Sequence, residues 1–132
     1  MQRIVFTSIF FLMLSSSSFS QKEISLKRKY FGKYKGTIAP YTYKEANKLI
    51  DVAETSIYID LFKDDITIKI GSHEMKGIYT VMFEADQYYL VDAQMEGVLP
   101  TERIIVYKKG KHIGRDGLYP QPVTELDRYA KK

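Results

Sequence analysis

From Tyr30 onward the chain alternates apolar with polar residues at a period of two, and this pattern limits its fold more than any other feature. Tyr30, Gly32, Tyr34, Gly36 and Ile38 fall on one side of an extended segment, with Lys33, Lys35 and Thr37 on the other. Successive side chains of a strand point to opposite faces, so such a segment buries one face and wets the other. Further on, Ile57, Ile59 and Leu61 alternate with Ser56, Tyr58, Asp60 and Phe62, and Ile66, Ile68 and Ile70 alternate with Thr67 and Lys69. Asp64 and Asp65 separate these two runs. Aspartate tolerates the positive φ of tight turns, which makes this the strongest local hairpin signal in the chain.

Residues 75–83 and 87–95 form a second expected hairpin across Glu84, Ala85 and Asp86. One face carries Tyr79, Val81 and Phe83 in the first arm and Tyr89, Val91, Ala93 and Met95 in the second. Residues 103–108 turn at Lys109, Gly110 and Lys111 into residues 112–115. Seven strands, with no long helix between them, predict an all-β domain. The expected form is a small antiparallel meander closed as a barrel or folded as a sandwich. Residues 43–53 carry no decisive pattern. Only residues 124–130 read as helical, with Thr124 as an N-cap and Val123, Leu126 and Tyr129 near one side, which predicts a short C-terminal helix. Pro120 and Pro122 hold the preceding segment extended.

One strand is apolar on both faces: Ile104, Ile105, Val106 and Tyr107. Its outer side needs a cover, supplied either by residues 118–129 folding back or by a second copy of the chain in a homodimer.

The first twenty residues read as a signal peptide. Arg3 supplies a positive start, residues 4–14 an apolar run, and Ser18 and Ser20 a small-residue exit. Eleven helical residues rise about 16 Å, against a hydrocarbon core of ~30 Å, so the run is too short to span a membrane. Cleavage before Gln21 would leave residues 21–132 as a single β-rich domain that is periplasmic or secreted. The chain has no cysteine. Disulfides, thiol nucleophiles and thiolate metal sites are therefore excluded, and packing alone holds the fold.

Charge is segregated along the chain. Residues 22–48 carry eight basic and two acidic side chains, residues 49–102 three and eleven, and residues 103–132 eight and three. Basic ends and an acidic middle attract one another if the first and last strands close beside the central ones.

Catalytic patterns are weak. Ser72, His73 and Glu74 are contiguous, and adjacent residues on a strand point apart, whereas a triad must converge. His73, Glu74, His112 and Asp116 have ligand chemistry suited to zinc without metal-site spacing. The glycines match neither nucleotide fingerprint. The expectation is a non-catalytic protein with no cofactor and no metal.

Eleven tyrosines and no tryptophan make up the one positive anomaly. A tyrosine buries a ring and keeps a hydroxyl that seeks a partner. If Tyr30, Tyr34, Tyr79 and Tyr89 face inward beside small residues, a barrel mouth could hold a small apolar or amphipathic ligand. The alternative is a filled, tyrosine-rich core. Residues 27–35 interleave cations with aromatics, a pattern suited to single-stranded nucleic acid, which export argues against. An envelope protein binding through Lys33, Lys35 and Tyr119 is the alternative partner; a small hydrolase is the third reading. The Gly32-Lys33-Tyr34 start resembles the Gly-x-Trp opening of lipocalin-like barrels with Tyr in place of Trp, and Arg115 or Arg103 stands where their closing arginine is expected. That resemblance implies a barrel and brings no functional residue with it.

Overall fold

The computed structural model describes residues 24–117 and 120–131. The expected signal peptide and Tyr119 lie outside the described residues. Among those described, a 3₁₀ turn (Arg28–Tyr30) leads into ten strands: β1 (Gly32–Ile38), β2 (Tyr41–Glu45), β3 (Lys48–Val52), β4 (Thr55–Leu61), β5 (Asp65–Ile70), β6 (His73–Glu84), β7 (Tyr88–Met95), β8 (Glu102–Tyr107), β9 (His112–Asp116) and β10 (Thr124–Lys131). Eight of them close into an antiparallel barrel. Strands β4 to β10 follow one another around the wall, and β1 closes it by pairing with both β4 and β10.

The two expected hairpins form, β4–β5 at Asp64 and β6–β7 across residues 85–87, as does the expected turn between β8 and β9. Asp64 adopts φ 67° and delivers the chain into β5, and Gly110 and Lys111 take φ 86° and 50° between β8 and β9. The indecisive stretch 43–53 proves to lie in a further hairpin, β2–β3, paired apart from the barrel. Ala46 and Asn47 sit at its tip with φ 47° and 67°, the double positive φ of a tight turn that suits the strand twist. Its alternation is short, two apolar residues per strand (Tyr41 and Tyr43, Ile50 and Val52), and these are only half-buried.

The C-terminal helix is corrected: residues 124–131 are strand β10. Thr124 and Leu126 are buried while Glu125, Asp127 and Tyr129 are exposed, which is period two. The helical spacing of Val123, Leu126 and Tyr129 misled because Val123 and Tyr129 face solvent. Pairing with β1 on one side and β9 on the other satisfies β10's backbone in a way that one or two helical turns could not. The segment therefore does not fold over β8. The outer side of β8 is sheltered by its wall neighbours instead: Ile105 lies opposite Leu90, and Tyr107 stacks on His112 with ring centroids 4.3 Å apart.

Inward-facing side chains fill the barrel. Tyr34, Ile57, Ile59, Leu61, Ile66, Ile68, Tyr89, Val91, Ile104, Val106, Ile113 and Leu126 are at most 1% exposed. Each such aliphatic side chain contributes about 1.5–3 kcal/mol relative to exposure. Arg115 and Glu102 are also buried inside. The guanidinium grips the carboxylate at two points, 3.0 and 2.8 Å, and its third nitrogen donates to Gln121 Oε1 at 2.7 Å. With both partners satisfied, desolvation and attraction roughly offset, whereas removing either partner would leave a buried charge unpaired.

Because the strands alternate in direction, the barrel has two ends. The 3₁₀ turn and the β4–β5, β6–β7 and β8–β9 turns share one end, and the β2–β3 hairpin and the remaining loops share the other. Among the described residues no helix is long and apolar enough to cross a membrane.

Candidate functional site

Strand β6 is longer than the strand before it. Its pairing with β5 stops at Ile78 opposite Asp65, yet it continues to Glu84 with β7 alone beside it. The bulge between Val81 and Phe83, where Met82 is the extra residue, bends this overhanging half. The edge left open by β5 faces the β4–β5 turn on one side and the incoming N-terminal segment on the other. Between these three walls lies a cleft of about 890 Å³.

Its apolar lining comes from Ile24, Leu26, Phe31, Phe62, Tyr79 and Val81, and its polar lining from Ser25, Arg28, Lys63, Asp64 and Thr80. The N-terminal wall is held firmly. Leu26 and Tyr30 are buried, and the Tyr30 ring meets Tyr89 edge-on at 5.3 Å between centroids. The Tyr34 hydroxyl donates to the Tyr30 carbonyl at 2.6 Å, and Arg128 Nη1 donates to the Lys29 carbonyl at 2.6 Å. Burial pushes the Tyr34 hydroxyl pKa up, with Arg128 pulling the other way. Next to this plug, Lys108 meets Glu84 at 2.6 Å, and that hydrogen bond lowers the Glu84 pKa and raises that of Lys108.

Tyr79 forms part of the cleft wall and is fixed in place, its hydroxyl donating to the Phe62 carbonyl. Burial pushes its pKa up to about 12, so the ring stays neutral across the physiological range. This bond ties β6 to the β4–β5 turn just where strand pairing has ended.

The four tyrosines singled out from the sequence thus separate. Tyr30, Tyr34 and Tyr89 are core residues, at 7%, 1% and 0% exposure, that brace the plug. Tyr79 alone among them lines the cleft. Lys33 and Lys35 stand exposed on the outer face of β1, away from it. Lys33 lies opposite Asp60 of β4, and Lys35 lies opposite Asp127 of β10, so the basic stripe faces carboxylates across both seams. Lys35 also rests 5.4 Å from the centroid of the Tyr129 ring. His73 begins β6 at the hairpin end and His112 begins β9 at the opposite end, so the two imidazoles do not meet.

Neither arginine expected to close the barrel start does so. Arg115 is buried toward the hairpin end and Arg103 is exposed. Arg128 takes that place, bonded to Lys29 and lying against Gly32. Sequence reading did not single out Ile24, Leu26 or Lys63, and took Arg28 and Phe31 only as part of the basic and aromatic run 27–35. The available signal was Ile24 and Leu26, two apart and apolar, in front of a basic run. Compared with known family models, curated proteins and solved structures, the chain matches none of them.

Proposed function

We propose that the protein is an exported, non-catalytic binding module that holds a small apolar or amphipathic molecule in the cleft beside the N-terminal plug. The observation that carries this reading is a preformed hollow of about 890 Å³ with an apolar lining, on a barrel whose interior is otherwise packed with side chains. Hollows of several hundred Å³ with a few polar groups among apolar walls are the usual form of small-ligand sites. The leader-like start of the sequence supports export.

The test uses a neutral apolar fluorophore, N-phenyl-1-naphthylamine, with the purified protein. Saturable one-to-one enhancement is expected, and Val81→Trp, which pushes an indole into the cleft, should abolish it while circular dichroism remains that of the parent. An absence of saturable binding, or binding undiminished in Val81→Trp, would overturn the proposal. For export, intact mass after expression with the full leader should correspond to a chain beginning at Gln21. An uncleaved product would refute that part.

A further inference from the structure

Resting on that reading of the cleft, we infer that the occupant's polar end is an anion, a carboxylate or phosphate, received by Arg28 and Lys63. The two side chains enter the cleft from different walls, Arg28 from the 3₁₀ turn and Lys63 from the β4–β5 turn. Neither has a carboxylate partner among the described residues, a property shared with Lys27, Lys109 and Lys111 at the same end, whereas Lys108 is engaged with Glu84 and Arg128 with the Lys29 carbonyl. Asp64 is the single acidic residue in the lining, which leaves the cleft one positive charge in excess. The Tyr79 hydroxyl is committed to the Phe62 carbonyl and does not compete for a head group.

The surroundings reinforce the sign. Lys27, Lys29, Lys109 and Lys111 lie at this same end, against Asp65, Glu84 and Asp86. The first and last basic blocks of the sequence are thereby brought together by the barrel's alternating strand directions. A concave site under an excess of one sign concentrates ligands of the other sign and speeds their arrival. Guanidinium and ammonium donors together match a carboxylate or phosphate oxygen set, while Leu26, Phe31, Phe62 and Val81 accept an aliphatic tail.

The experiment compares dodecanoate, 1-dodecanol and dodecyltrimethylammonium, each as monomer, by displacement of the neutral fluorophore. Dodecanoate should bind at least about tenfold tighter than the alcohol, a modest return for one charge-assisted contact. The cation should bind weakest. In Arg28→Gln/Lys63→Gln, both substitutions being at exposed positions, dodecanoate should fall to the affinity of the alcohol, and the alcohol should be unchanged. Equal affinity of acid and alcohol for the parent, or a preference that survives the double variant, would overturn the head-group assignment and leave the cleft standing. Failure of all three probes and the fluorophore would remove the cleft reading itself. A second arm separates a free amphipath from a lipid surface: vesicles of phosphatidylglycerol should not cosediment the protein when dodecanoate saturates it. Cosedimentation that persists both with dodecanoate and in Val81→Trp would show that the basic end binds a surface, and would overturn the inference.

Discussion

Tyr79 joins two roles that are usually separate, forming part of the cleft's lining and fastening one strand to its neighbour's turn. Its raised pKa makes the second role measurable. Below pH 10 both folded and unfolded chains keep the phenol protonated, and the full contribution is present. Between its ordinary value of 10.0 and about 12 the unfolded chain ionises first and binds fewer protons, so stability falls as pH rises. Two units correspond to about 2.7 kcal/mol, reduced by partial solvent access to about 1–2 kcal/mol. Urea unfolding at pH 9, 10.5 and 11.5 should show the parent losing stability relative to Tyr79→Phe; a constant gap between the two would contradict this account. At this scale the sequence was only partly legible. Of the four tyrosines chosen for their abundance, three brace the core and Tyr79 lines the cleft. A phenol's destination depends on which carbonyl lies within reach, and here those carbonyls belong to the 3₁₀ turn and a hairpin turn, placed by the fold.

Among the elements, those with alternating β-branched residues were read correctly, because burial on one face and solvent on the other leaves no other arrangement for Ile57, Ile59 and Leu61 or for Ile66 and Ile68. Strand β10 was not, since its short run of Thr, Glu, Leu, Asp and Arg suits a helix locally and becomes a strand through partners distant in sequence. The β2–β3 hairpin was missed for the opposite reason: outside the barrel only two half-buried residues per strand alternate, too short a run to stand out. The close approach of β6 to β7 also escaped notice. Gly77 lies so near β7 that an added Cβ would run into the Gln94 carbonyl oxygen, and Gly77→Ala should cost about 2 kcal/mol or more. Gly114→Ala, where the new atom would meet its nearest neighbour at 3.4 Å, should cost under about 1 kcal/mol. Denaturant midpoints of the two variants decide it; equal losses would show that the β6–β7 spacing relaxes.

For the molecule as a whole, the segregated charge of the sequence acquires a direction. Acidic and basic blocks meet across the β1–β4 seam, with Lys33 opposite Asp60, and the surplus cations gather at the end where the cleft opens. The first and last strands of the ring lie side by side, with Gly32 opposite Lys131. The order in which the strands are synthesised is therefore not what the architecture requires. A circular permutant in which a flexible linker joins residue 131 to residue 24 and the new ends are cut between Ala46 and Asn47 should fold cooperatively to the parent's far-ultraviolet spectrum. Such a rearrangement would also turn the N-terminal wall of the cleft into an internal loop, whose hold on the proposed occupant could be tuned by linker length.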